Sequence, residues 1–204
     1  MNNILPVIIL VFWSFNVLNV HGQSKIIKEI KDFQKQQDEE FADPAESPLT
    51  KEDLAKFTGH DFYPIDTSFY IKAKFVRTEN EQPFQMKTTT NRLPVYVKYG
   101  EAHFTLSGKK FVLSIFQNQE LMKKRKYRDY LFLPFTDLTN GFETYGGGRY
   151  LGLSIPKGDE IIIDFNKAYN PYCAYNHRYS CPLVPKENHL EIEIKAGVML
   201  ESNY

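Results

Sequence analysis

The sequence predicts a mainly β fold: an antiparallel β-sandwich or barrel-like domain preceded by one or two N-terminal helices. Apolar and polar residues alternate with period two in a series of short runs from Ser68 onward. Turn-forming residues separate these runs about every ten positions. Helical spacing of apolar residues is confined to the chain before residue 60. With 204 residues, 42% hydrophobic and 15% aromatic, there is apolar material for one packed domain and little scope for two.

The first element, residues 1–22, has an apolar stretch from Ile4 to Val20 and no charged side chain before Lys25. Ending at the small residue Gly22, it reads as a signal peptide cleaved ahead of Gln23, with an uncleaved anchor as the alternative. No cysteine adjoins the site, which disfavours a lipid anchor. The expectation is an exported protein, periplasmic or extracellular, with no stable membrane insertion after cleavage. Over 23–60, Ile26, Ile30, Phe33 and Phe41 fall close to one helical face while Lys, Gln and Glu occupy the rest. Pro44 and Pro48 end that helix. The run TKED from Thr50 to Asp53 then has the spacing of a capping box opening a short second helix.

Residues 61–204 form the β-rich domain. In SFYIKAKFVRT, Phe69, Ile71, Ala73 and Phe75 share one face and Lys72 and Lys74 the other, as in a strand buried on one side. Comparable runs cover 95–98, 103–106, 110–116, 130–134, 149–154 and 160–165. A last run, HLEIEIKAG, alternates Leu190, Ile192 and Ile194 with charged residues. Gly100, Ser107-Gly108, Asn140-Gly141 and Lys157-Gly158-Asp159 punctuate them.

Charge excludes one class of partner. Twenty-five basic residues balance 25 acidic ones, so no global field draws the chain to nucleic acid. The local basic run Lys123 to Lys126 reads as a solvated turn or strand edge. The sequence has no G-x-S-x-G elbow, Walker loop, H-E-x-x-H helix or dinucleotide fingerprint. No cofactor and no metal are expected, and a monomer is.

Two polar segments remain. In LFLPFTDLTNGFETYGGGRYL (131–151), Asp137, Thr139 and Glu143 surround an Asn-Gly turn, and three glycines precede Arg149. Glycines permit close backbone approach to a ligand, and Arg149 can grip a carboxylate or phosphate. The alternative is a structural hairpin whose arginine pairs with Asp137 or Asp164 inside the fold. The oxygen ligands are too few for a hard-cation site.

In DFNKAYNPYCAYNHRYSCPLVPKENHL (164–190), Cys173, His177 and Cys181 are spaced i, i+4, i+8, but Pro171 and Pro182 bracket the run and oppose a helix. In an exported chain two cysteines favour a disulfide, which here would close a loop of about nine residues and contribute roughly 2.5 kcal/mol. Free buried thiols and a metal site are the alternatives. The tyrosines can bury apolar faces while their hydroxyls satisfy loop backbone.

The pattern F-x-D-x-T-x-G-x-x-T-Y-x-x-G-R-Y-L at Phe135–Leu151 precedes D-F-N-x-A-Y-N-P-x-C-A-Y at Asp164–Tyr175, C-P-L at Cys181–Leu183 and P-x-E-N-x-L at Pro185–Leu190. Together these resemble the DUF1684 family of bacterial proteins, and the likeness extends more weakly through SPLTKEDLAKFTGHDFYPID. Many relatives carry two prolines before the first cysteine, where this chain has Tyr172 in the second place. The family implies no biochemical activity. It marks Asp137, Thr139, Gly141, Thr144, Tyr145, Gly148, Arg149, Tyr150, Asp164, Asn166, Tyr169, Asn170, Cys173 and Asn188 as motif positions.

These residues suggest a binding module for a small polar or carbohydrate-like ligand, contacted by Asp137, Thr139, Tyr145, Arg149, Asp164, Asn166, Tyr169 and Asn170. One alternative is a hydrolase using paired carboxylates among Asp137, Glu143 and Asp164. The other is a structural or interaction protein of the cell envelope, in which the motifs lock the fold.

Overall fold

The computed structural model describes residues 5–200, with side chains from Gly22 onward. The leader expected over 1–22 therefore falls, apart from Gly22, outside the described side chains. Helix α1 spans Leu5–Ala42 and buries Ile30 and Phe41. Burying two such side chains contributes roughly 1.5–3 kcal/mol each. The charged remainder of the helix surface is held by exposed i,i+4 pairs such as Lys28 with Asp32 at 2.6 Å. Helix α2 (Lys51–Leu54) is capped as its spacing predicts, Thr50 Oγ1 accepting the Asp53 amide at 3.1 Å. Among the described residues, no helix is long and apolar enough to cross a membrane.

Eight strands make one sheet: β1 (Tyr70–Arg77), β2 (Phe84–Gln85), β3 (Val95–Leu106), β4 (Lys109–Asn118), β5 (Tyr130–Asp137), β6 (Arg149–Ser154), β7 (Glu160–Asp164) and β8 (His189–Leu190). The main order is β6-β5-β4-β3-β1-β7, all antiparallel, with β2 on β3 and β8 parallel to β5. The sheet curls into a half-barrel whose end strands β6 and β7 approach one another across an unpaired seam. Its concave face holds the main core, including Phe104, Leu113, Ile115, Leu133, Phe135 and Ile163. Residues of opposite parity, Phe116, Phe132 and Tyr150, join Met86 and Tyr96 in a smaller cluster on the other face, with Tyr130 and Tyr169 against it.

Two strand expectations change in detail. The runs at 95–98 and 103–106 are one strand, β3, whose register against β4 shifts between Lys98 and Gly100. A Cβ at Gly100 would stand 2.5 Å from the Phe75 ring, so glycine lets the bulged backbone pass that side chain. The run HLEIEIKAG is strand only at His189–Leu190. Beyond that side chains satisfy part of its backbone: Ile194 N–H donates to Asp137 Oδ1 at 3.1 Å, and the Ile194 and Ala196 carbonyls accept from Arg149, while the Ile192 and Gly197 carbonyls accept from the Leu138 and Tyr63 amides. Period two persists there because Ile194 and Ala196 still face the core, while no neighbouring strand is needed to satisfy the chain.

Candidate functional site

Strands β5 and β6 bring Asp137 and Arg149 together in the interior. Both side chains are fully buried, with Arg149 Nη2 2.9 Å from Asp137 Oδ2. Nη1 and Nη2 also donate to the carbonyls of Ile194 at 2.8 Å, Ala196 at 2.5 Å and Val198 at 3.2 Å, while the buried Nε has no hydrogen-bond partner among the described residues. Asp137 Oδ1 accepts from the amide and hydroxyl of Thr139 and from the Ile194 amide. Thr139 in turn meets Thr144 Oγ1 at 2.8 Å. The glycines before the arginine serve packing: at Gly148, φ is +88° and a Cβ would lie 2.6 Å from the Phe135 carbonyl. Arg149 therefore tethers the C-terminal segment to the sheet and has no guanidinium face turned to solvent.

A second carboxylate has a different setting. Asp164 closes β7 and accepts with Oδ1 from the Asn166 amide at 3.2 Å and Nδ2 at 2.9 Å. Asn166 also exchanges bonds with the backbone of Asp66 at 3.0 and 2.9 Å, holding the entry to β1. Asp164 Oδ2 is buried with no hydrogen-bond partner, its nearest cation being Lys167 Nζ at 3.8 Å. Burial is the main cause that raises the Asp164 carboxyl above the usual carboxylate range. The third carboxylate considered, Glu143, is engaged at the surface by Lys195 at 2.9 Å and the Tyr63 hydroxyl at 3.1 Å. Asp137, Glu143 and Asp164 thus each have separate surroundings.

The 164–182 loop is ordered by its own polar groups and by α1. Asn170 Nδ2 donates to the Tyr175 hydroxyl at 3.2 Å, and the Tyr175 ring meets Phe41 of α1 edge-on at 4.9 Å. Tyr150 and Tyr169 pair through their backbones, so the loop returns along the outer edge of β6. The two cysteines are free, buried thiols rather than the bond that an exported chain favours. The Cys173 amide donates to Cys181 Sγ at 3.2 Å. Hydrogen bonding from Cys181 is the largest influence on the Cys173 thiol; with bonds from Tyr145 and Thr89 it overcomes burial and brings that thiol down to about 6. The shared bond and burial push Cys181 up. Among the described residues, no group of three or more His, Cys, Asp or Glu is placed to hold a metal ion.

Two adjoining clefts lie beside this loop. The larger, about 620 Å³, opens between α1 and the outer face of β5 and β6, and five tyrosines border it: Tyr127, Tyr130, Tyr150, Tyr169 and Tyr172. Burial is the main cause that raises Tyr130, Tyr150, Tyr169 and Tyr172, so all four remain neutral phenols. Tyr130 and Tyr169 hydroxyls are 3.3 Å apart. The smaller cleft, about 280 Å³, sits in the seam between β6 and β7 and is bordered by Asp164, Tyr70 and Glu29. Gly152 and Lys167 border both.

Of the expected ligand contacts, Asp164 and Tyr169 border these clefts, and so do the motif residue Tyr150 and Cys181. Asp137, Thr139 and Arg149 form the internal lock, Asn166 and Asn170 brace loops, and Tyr145 turns to Cys173. Sequence reasoning missed Tyr130, Tyr172 and Lys167 as cleft residues, since only the apposition of α1 and β6 makes them neighbours. It also left Asn188 without a role. Asn188 is fully buried between β4 and β5, accepting from the Ser114 amide at 2.8 Å and donating to the Ser114 and Pro134 carbonyls at 2.8 and 2.7 Å. Pro134 lacks an amide for the ladder, and an asparagine fills the gap there; the proline was the available signal.

A likeness to a solved structure extends over nearly the whole chain. An uncharacterized protein of Haloarcula marismortui, solved in solution by NMR, shares 29% identity and superposes with a TM-score of 0.70, covering 90% of this chain and 99% of its own. No curated protein matches. The model of the family described as a protein of unknown function, DUF1684, matches residues 55–199, which take in the sheet, the Asp137–Arg149 lock and the loop beside the clefts. The chain belongs to the DUF1684 family.

Proposed function

We propose that this protein is an exported binding module for a small, uncharged, hydroxyl-rich ligand of carbohydrate type. The observation that carries this reading is the cleft of about 620 Å³ bordered by five tyrosines. That volume suits a small ligand. Neutral phenols offer broad apolar faces together with a hydroxyl that both donates and accepts, which matches a molecule with C–H faces and a hydroxyl rim. The adjoining seam adds an acceptor without a hydrogen-bond partner, Asp164 Oδ2, and a donor, Lys167 Nζ, 3.8 Å apart. Opposite charges in one small space favour a neutral ligand that bonds to each over one that carries a charge of its own. Selection of an acidic group by Arg149 has no support, because its guanidinium is fully buried.

The test is thermal unfolding of the isolated protein against neutral mono- and disaccharides, sugar acids and amino acids, followed by calorimetric titration of any hit. A ligand at a hundred times its Kd stabilises by about 2.7 kcal/mol, roughly 5–11 °C for a domain of this size. The expected outcome is such a shift from a neutral sugar, lost in Tyr130→Ala and Tyr172→Ala. No shift across the panel, or one unaffected by both substitutions, would remove the basis for this reading.

A further inference from the structure

The cysteine pair calls for a separate account, because a ligand held by phenols and a carboxylate does not need two thiols. We propose that Cys173 and Cys181 form a hydroperoxide-reactive dithiol centre, in which Cys173 attacks the peroxide and Cys181 resolves the product to a reversible disulfide. Three features of the geometry lead there. Cys181 Sγ lies 3.2 Å from the Cys173 amide, so the two sulfurs are held side by side on a loop stiffened by the turn Tyr172–Ala174. Cys181 is anchored through its backbone, its amide donating to Thr89 Oγ1 at 3.2 Å and its carbonyl accepting from the Thr89 amide at 2.9 Å. Cys181 also borders the tyrosine cleft, so a small oxidant that enters there meets one member of the otherwise buried pair, with Cys173 beside it.

The roles follow from the donors around each sulfur. Cys173 receives hydrogen bonds from Cys181, Tyr145 and Thr89, which favour its thiolate, while the shared proton stays on Cys181. The thiolate is the nucleophilic form. Its attack on hydrogen peroxide forms an S–O bond and breaks the O–O bond; hydroxide leaves and takes a proton from solvent, and Cys173 becomes a sulfenic acid. The Cys181 sulfur then displaces water from that sulfenic acid, forming the S–S bond. Two electrons pass from the dithiol to one peroxide, which ends as two waters. A dithiol reductant returns the pair to its starting state.

The experiment uses the full chain, reduced with dithiothreitol, freed of reductant and treated with hydrogen peroxide, in native buffer and in urea. Intact mass and thiol titration follow the reaction, and each variant's melting curve shows that it is folded. Wild type should consume one peroxide per chain, losing both thiols and the mass of two hydrogens, and dithiothreitol should restore it. Cys181→Ser, or Cys181→Ala if the serine variant does not fold, should stop at a sulfenic acid trapped by dimedone. Cys173→Ser or Cys173→Ala should react at least about ten-fold more slowly. Tyr145→Phe should slow the first step and shift its pH midpoint upward, an effect that a purely structural tyrosine would not produce. The proposal is overturned if the native thiols react no faster than the unfolded chain, or if the Cys173 variants match wild type. It is equally overturned if wild type accumulates sulfenic acid without a disulfide, or if the native disulfide resists dithiothreitol.

Discussion

Replacing Arg149 by alanine probes the group that joins the C-terminal segment to the sheet. The side chain is fully buried and meets one carboxylate oxygen and three carbonyls, between 2.5 and 3.2 Å away. Truncation leaves Asp137 buried without its cation, which costs about 3–5 kcal/mol. Each abandoned carbonyl adds up to about 1–3 kcal/mol unless water enters the space, so the net expectation is a loss of roughly 4–6 kcal/mol. For a domain of this size that corresponds to a melting temperature lower by roughly 10–20 °C. Urea unfolding at neutral pH measures it directly. Arg149→Lys keeps the charge but lacks the planar fork, so it should lose about half as much. Asp137→Asn with Arg149→Met, which buries no charge, should be more stable than Arg149→Ala alone. A loss below about 1.5 kcal/mol for Arg149→Ala would refute the account of the pair as a tether, since that is the size of one ordinary hydrogen bond.

Asn188→Leu removes three side-chain hydrogen bonds, two to Ser114 of β4 and one to Pro134 of β5, and should cost about 2–4 kcal/mol in urea unfolding, without altering ligand affinity. Asp164 has its carboxyl raised by burial, so the folded state binds its proton more tightly than the unfolded chain. Its contribution to stability is therefore greatest at low pH and falls as pH rises from the ordinary carboxylate value through the raised one, and melting of Asp164→Asn beside wild type should show the variant gaining over that window. A ligand that donates to Asp164 Oδ2 prefers the ionised form, so affinity should rise with pH across the same window in calorimetric titration, and a flat profile would exclude that contact. His60 behaves oppositely: burial lowers its imidazole despite Asp38 at 2.8 Å, so protonation favours the unfolded chain and stability should fall as pH drops below 6.5, an effect absent in His60→Gln.

How far the sequence reads can be judged element by element. The alternation in β1, the Thr50 cap and the amphipathic face of α1 are local, because side-chain period and capping depend on residues a few positions apart; each is present in the fold. The two polar segments were likewise legible as special, since no core accepts so many polar groups without partners. Their roles were not legible. Arg149 behind three glycines suits a ligand grip as well as a lock, and the carbonyls that decide between them come from residues 194–198, dozens of positions away. The failed strand at 191–197 has the same cause: alternation reports which face is buried, and only the tertiary structure shows whether a strand or a pair of side chains satisfies the backbone. The clefts depend most on the folded state. Tyr130, Tyr169 and Lys167 become neighbours because the half-barrel leaves β6 and β7 unpaired and α1 lies beside that opening, and a gap between elements leaves no periodic trace in any one of them. The sequence by itself determined the fold class and the residues that demand satisfaction, because those are set by local chemistry; which partner satisfies each, and where space remains, was decided by long-range packing.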